Sequence, residues 1–173
     1  KDLILRSGAI RDCGTHIAFV YKNAAEIGDL GDNSKVIRAA IRRDEVLREA
    51  LLSPESTVTV LGHTRWASVG VISEANAHPV DSQEATHGDE QYVSAVLNGD
   101  IDNYMDLTEL AKLDIPAEIT TDAKVIPALI SRQLTSTVSD LEAFRATVST
   151  FEGSMAIASH NAAQPHKLSL ALR

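Results

Sequence analysis

A chain of 173 residues, 44% hydrophobic but only 4% aromatic, is long enough for one domain with an aliphatic core. Its net charge of -8 argues against a nucleic-acid surface, which needs clustered Lys and Arg to meet phosphates, and its apolar runs are too short to cross a bilayer. The single cysteine, Cys13, excludes an internal disulfide framework and fits a reducing compartment, so a cytoplasmic protein with no nucleic-acid or membrane partner is expected.

Residues 15–21, THIAFVY, are β-branched and aromatic and predict a buried strand. Asn33 or Ser34 can cap a helix running to about Leu52, with Val36, Ile37, Ala40, Ile41, Leu47, Ala50 and Leu51 as its apolar stripe and Pro54 beyond its end. STVTVLG, 56–62, predicts a second strand. Residues 63–90 lack periodicity, and a connection that long inside a domain is usually functional or mobile. YVSAVLNG, 92–99, predicts a third strand. Asp102 or Asn103 can cap a short helix to Leu113. Thr121 can cap a helix over 122–134 that Pro127 should kink or delay. Ser139 and Glu142 form a capping box for a helix to about Phe151. SMAIAS, 154–159, and KLSLAL, 167–172, flank a polar turn and predict a hairpin. The strands are apolar on both faces, which predicts sheets covered on both sides. No repeat or linker interrupts the chain. It begins at Lys1 and stops at Arg173 just after the alternation of Leu168, Leu170 and Leu172, so a segment of a longer polypeptide is expected.

Four clusters stand at the ends of strands or the starts of helices, where backbone groups are free to meet a ligand. Arg65 offers a planar fork that fits a carboxylate, and the neighbouring Trp66 can wall a pocket; on local sequence alone, an Arg stacked on an exposed indole is the simpler reading. Asn98-Gly99 is the commonest hairpin turn, but it is also a side-chain amide beside a glycine N–H, two donors that can converge on one oxyanion. The residues that follow, IDNYMDL, make a poor return strand, which disfavours the hairpin. Thr121-Asp122 is an ordinary helix cap with an acid in the first turn, or an anion placed to bind an ammonium group. Asn76-Ala77-His78-Pro79, with His63 and His87 nearby, invites a metal reading. The spacing fits no standard zinc pattern, so no metal is expected, and His78 before proline is read as fixing a loop turn. Together the first three clusters would suit a ligand with an α-carboxylate, an α-ammonium and a carbonyl that becomes tetrahedral. Glutamine fits that description.

GHTRWAS (62–68), ISEANAHP (72–79), LNGDIDNY (97–104), TDAKVI (121–126) and FEGSMAIA (151–158), in that order, resemble the class II glutamine amidotransferases. Within that family they look most like the glutaminase domain of the glucosamine-6-phosphate synthase (glutamine–fructose-6-phosphate transaminase) type. The resemblance runs from about residue 14 to the end and is tightest over 57–130. It implies an α+β, N-terminal-nucleophile (Ntn) hydrolase fold, an αββα sandwich of two mostly antiparallel sheets between helical layers. It makes residues 1–173 one glutamine amidotransferase type 2 domain, lacking the strand of the nucleophile and a C-terminal remainder. It also implies a reaction: an N-terminal cysteine, with its own α-amine as base, takes the γ-glutamyl group, releases ammonia, and is hydrolysed to give glutamate. By the resemblance Arg65 holds the substrate α-carboxylate and Asp122 its α-ammonium. Asn98 and Gly99 form the oxyanion hole, and Trp66, Ala67 and Ser68 line the glutamine pocket. No cofactor and no metal are implied. Ammonia would pass to a sugar-phosphate acceptor in a sugar-isomerase (SIS) type domain, in a full-length protein that is a homo-oligomer.

The chain departs from the family pattern in places. Val69 and Leu97 stand where a threonine or histidine and a histidine are usual, and Arg11-Asp12-Cys13-Gly14-Thr15 replaces an arginine-glycine-x-aspartate-serine segment. Lys1 is no nucleophile. The leading explanation places the N-terminal cysteine upstream of this segment. Cys13, exposed by removal of Lys1–Asp12, is a second candidate and otherwise reads as a small buried hydrophobe. The third explanation is a non-catalytic glutamine-binding or scaffolding domain.

Overall fold

The computed structural model describes residues 10–12, 16–24, 32–64, 69–86, 91–134 and 138–173. Two short strands, β1 (Ile10–Asp12) and β2 (Ile17–Phe19), pair antiparallel. Two helices follow, α1 (Asp32–Arg43) and α2 (Glu45–Leu51). The rest of the chain builds a four-stranded antiparallel sheet from β3 (Val80–Asp81), β4 (Val93–Gly99), β5 (Met155–Asn161) and β6 (Ser169–Leu172), in that spatial order. Between β4 and β5 come α3 (Tyr104–Ala111), a single 3₁₀ turn (Asp122–Lys124), α4 (Val125–Gln133) and α5 (Asp140–Ser149). The architecture is α+β with antiparallel sheets, as expected.

The core follows from period. β5 alternates strictly between buried and half-buried positions, and Met155 and Ile157 lie on its buried face. Leu97 and Ala95 of β4 stand opposite Ile157 and Ser159, so one face of the sheet is continuous. α4 covers it. Val125, Ile126, Ala128 and Ile130 are all buried there, with Ala143 and Phe144 of α5 packed beside them. Ser139 and Glu142 make the capping box expected for α5. The β5–β6 hairpin also forms as expected, with Ile157 opposite Ala171.

Four expectations are corrected. The helix expected from Asn33 to Leu52 is two, because Asp44 leaves the helical conformation and caps α2, accepting from the Leu47 N–H at 2.9 Å. Its other oxygen accepts from the Tyr21 hydroxyl at 2.7 Å. Of the apolar stripe, Val36, Ala40, Ile41 and Leu51 are exposed. Residues 56–62 form no strand among the described residues. Val58 and Val60 are exposed and no neighbouring strand offers a ladder, which β-branched residues need to hold an extended chain as a sheet. The four-stranded sheet is covered on the α4 and α5 side, but on the opposite face Leu170 and Leu172 are exposed. Finally, the helix expected over 122–134 starts as the 3₁₀ turn; Pro127 then sits in the first turn of α4, where its missing N–H costs nothing.

Two glycines let β4 and β5 close at their ends. Gly99 has φ +115°, and a Cβ there would lie 2.0 Å from the Ser154 carbonyl oxygen; Gly153 has φ +121°, with a Cβ 2.4 Å from the Asp100 oxygen. The approach is held by Asp100 N–H to Ser154 O at 3.0 Å and Asp102 N–H to Glu152 O at 2.8 Å.

Candidate active site

Asn98 and Gly99 end β4 and do not turn back as a hairpin: their partners are Ala156 and Met155, nearly sixty residues on. Both are exposed, whereas Val93, Ala95, Val96 and Leu97 before them are buried. The ladder fixes the direction of the Gly99 N–H. Met155 exchanges both backbone hydrogen bonds with Arg173, on the β6 side. In an antiparallel ladder the pair Gly99–Met155 is therefore the non-hydrogen-bonded kind, and the Gly99 N–H points away from β5. Two residues earlier, the Leu97 N–H points the same way and donates to His78 Nδ1 at 3.3 Å. The glycine donor and the Asn98 side chain thus lie at an exposed strand end, on a backbone whose preceding residues are fixed in the core.

Asp122 comes to the same corner from the 3₁₀ turn. Its Oδ2 accepts from the Ile101 N–H at 2.9 Å, two residues past Gly99. Its Oδ1 accepts from the Ala123 N–H at 2.9 Å and the Thr121 hydroxyl at 3.3 Å. The residue is only 4% exposed. Burial pushes its carboxyl above the ordinary value, against the pull of these hydrogen bonds, and Asp100 adds a smaller push in the same direction. A buried anion of this kind gains from a cationic ligand. Thr121 stands at the cap position with Asp122 in the first turn, as the ordinary reading has it, but its hydroxyl makes no cap hydrogen bond.

The other expected site residues are distributed as follows. Arg65, Trp66, Ala67, Ser68 and Cys13 lie outside the described residues, as does His87. The described residues on either side of 65–68 both reach this corner. His63 lies with its ring centroid 4.8 Å from that of His78, and Gly70 lies against Thr120, where an added Cβ would fall 2.9 Å from Oγ1. The Val71 N–H donates to the same Thr120 Oγ1 at 3.3 Å. His78, read from sequence as fixing a loop turn, lies in a bend and is buried, with its Nδ1 accepting from the Leu97 N–H. No group of three His, Cys, Asp or Glu among the described residues is placed to hold a metal ion. Likewise, no helix among them is long and apolar enough to cross a membrane.

The sequence as a whole has known relatives. The glutamine–fructose-6-phosphate aminotransferase [isomerizing] of Bacillus cereus is 35% identical over 153 residues, covering 86% of this chain and 24% of the relative. The enzyme of the same name from Sulfolobus acidocaldarius is 35% identical over 130 residues, covering 73% and 21%. The chain is a homologue of the glutamine–fructose-6-phosphate aminotransferases. It spans about a quarter of the length of the curated relatives it matches. No family model matches it. Among solved structures, the glutamine phosphoribosylpyrophosphate amidotransferase of B. subtilis superposes with a TM-score of 0.48 at 18% identity, over 64% of this chain and 22% of that one.

The anchoring roles of three residues, Lys124 and Asn76 beside the corner and Arg132 at the other end of α4, were not foreseen from sequence. Lys124, fully buried, donates from Nζ to the carbonyl oxygens of Asp81 and Gln83, each at 2.6 Å, and lies 3.3 Å from the Asp81 carboxylate. It fastens the 3₁₀ turn of Asp122 to β3. Arg132 of α4 pairs with the buried Glu84 through Nε at 2.7 Å and Nη2 at 2.6 Å, a two-point fork. Asn76 is hydrogen-bonded to the loop just ahead of Asp122. The one local signal was a lysine inside the otherwise apolar run from Ala123 to Ile130; the Glu84 partner of Arg132 and the Thr120 and Thr121 partners of Asn76 lie over forty residues away.

Proposed function

We propose that this chain is the glutamine-hydrolysing part of an aminotransferase of the glutamine–fructose-6-phosphate type, releasing ammonia for a sugar-phosphate acceptor held by an SIS-type domain. Glutamine is the substrate. Asp122 binds its α-ammonium, Arg65 its α-carboxylate, and Trp66, Ala67 and Ser68 line the pocket. When the nucleophile, an N-terminal cysteine outside this segment, attacks the side-chain amide, negative charge collects on the former carbonyl oxygen. The Asn98 amide and the Gly99 N–H stabilise it. No metal or cofactor enters this chemistry. The working protein is a cytoplasmic homo-oligomer.

The observation that carries this reading is the Asp122 carboxylate docked on the backbone of Ile101, just past the Asn98–Gly99 donor pair. An anion for the ammonium end of glutamine and two donors for its amide end thus share one corner. A Gly99 N–H aimed away from β5 supports the oxyanion role, because donors fixed before the charge forms need no reorganisation.

The test is steady-state glutamine hydrolysis by the complete protein. Asn98→Ala is expected to lower kcat by ~10²–10³ with KM nearly unchanged, as for loss of one oxyanion donor. An unchanged kcat removes that role. A wild-type protein that binds glutamine but yields no glutamate supports the non-catalytic glutamine-binding reading instead.

A further inference from the structure

Asn76 belongs to neither donor pair and no proposed contact with glutamine, yet it is fully buried and saturated with hydrogen bonds. Its Oδ1 accepts from two consecutive backbone N–H groups, Thr120 at 2.7 Å and Thr121 at 3.0 Å. Its Nδ2 donates to Ser73 Oγ at 3.0 Å, Thr120 Oγ1 at 3.2 Å and the Glu118 carbonyl at 3.4 Å. One planar amide therefore fixes the backbone of 118–121, the four residues leading into Asp122. Residues 118 and 120 are themselves exposed, so little packing holds this loop otherwise. Only a neutral amide can accept from two N–H groups on one edge and donate to a carbonyl on the other. Gly70 closes on the same residue, with no room for a Cβ against Thr120.

We infer that Asn76 is a positioning residue for substrate: it sets the Thr120–Asp122 corner so that the Asp122 carboxylate meets the α-ammonium of glutamine. This rests on the functional reading above, in which Asp122 is the ammonium partner. Without the two Oδ1 bonds, the Thr120 and Thr121 N–H groups turn toward other acceptors, and the carboxylate next in the chain shifts with them. A displacement of an ångström is enough to lose most of a charge-assisted contact.

The experiment measures dissociation constants by calorimetry on the complete protein, with its proposed N-terminal cysteine replaced by alanine so that glutamine is not consumed, for glutamine and for glutaramic acid, which is glutamine without its α-ammonium. Asn76→Ala is expected to weaken glutamine about tenfold, the loss of most of one charge-assisted hydrogen bond, and to leave glutaramic acid within about twofold. Asp122→Asn is expected to do the same, and Asn76→Ala added to it to cost nothing further for glutamine, because the two act in series. Asn76→Asp keeps the shape but sets an acceptor-only carboxylate against the Glu118 carbonyl, so it too should weaken glutamine selectively, and it serves where the alanine variant folds poorly. A purely structural Asn76 would weaken both ligands alike, or lower the fraction of competent protein at unchanged affinity, and either result overturns the inference. If Asn76→Ala discriminates the two ligands while Asp122→Asn does not, the inference also fails, since its effect cannot then run through Asp122. If neither discriminates, the functional reading falls with it; if only Asp122→Asn does, that reading stands and the role of Asn76 alone is refuted.

Discussion

Residues 10–64 and residues 76–162 contrast sharply in how they are held. Every buried residue among those described lies in the second stretch, whereas α1 and α2 bury none. Both stretches carry amphipathic helices. What separates them is a second layer: α4 has a sheet beneath it and α5 beside it, while the apolar residues of α1 and α2 meet no such surface among the described residues. An apolar stripe is thus a request for a partner, and only the later stretch answers it. The candidate site sits where the packed region reaches solvent, with Asn98 and Gly99 exposed on a strand rooted in the core. That arrangement gives rigid donors an open side, as a binding site requires.

The contrast can be tested by substitution. Arg132→Met should have the largest effect, about 3–5 kcal/mol in denaturant unfolding, because it leaves the Glu84 carboxylate buried without its partner. Lys124→Met should cost about 2 kcal/mol, since the Asp81 and Gln83 carbonyls lose their donor and the turn of Asp122 loses its anchor to β3. Asp44→Ala removes a helix cap in the thinly packed stretch and should cost about 1 kcal/mol by the same measurement. Val36→Ala, on an exposed face of α1, should stay within about 0.5 kcal/mol. A Val36→Ala penalty comparable with that of Arg132→Met would show that α1 is packed against something after all and would erase the contrast.

What could be read from sequence was local. The capping box of α5 needs two residues three apart, and β4, β5 and β6 announce themselves as short apolar runs bounded by polar residues, so these were legible. Asn98-Gly99 and Asp122 were legible as candidates because each sits where an element ends, and the Ile101 N–H joins the two places. STVTVLG misled because β-branched alternation states a preference and not a pairing. The Asp44 break was hidden inside an unbroken helical period, and it depends on a cap and on Tyr21, twenty-three residues away. Arg132–Glu84 and Asn76–Thr120 join residues 48 and 44 apart, and no local pattern encodes either.

The central claim is that Asp122 receives the ammonium of glutamine at this corner. Its carboxyl has a raised pKa when folded and unliganded. Whatever the protonated form contributes to stability is therefore complete below the unfolded value near 3.8 and is lost as pH rises through the folded value. An ammonium binds the carboxylate and not the acid, so glutamine affinity should rise with pH over the same interval. The measurement that tests this is calorimetric glutamine binding from about pH 4 to 7 in the complete protein lacking its nucleophile, with Asp122 intact and as Asp122→Asn. Affinity should climb with pH where Asp122 is intact, and in the variant the profile should be flat, with about tenfold weaker binding at neutral pH. Equal affinity in the two proteins, with no difference in their pH profiles, would contradict it.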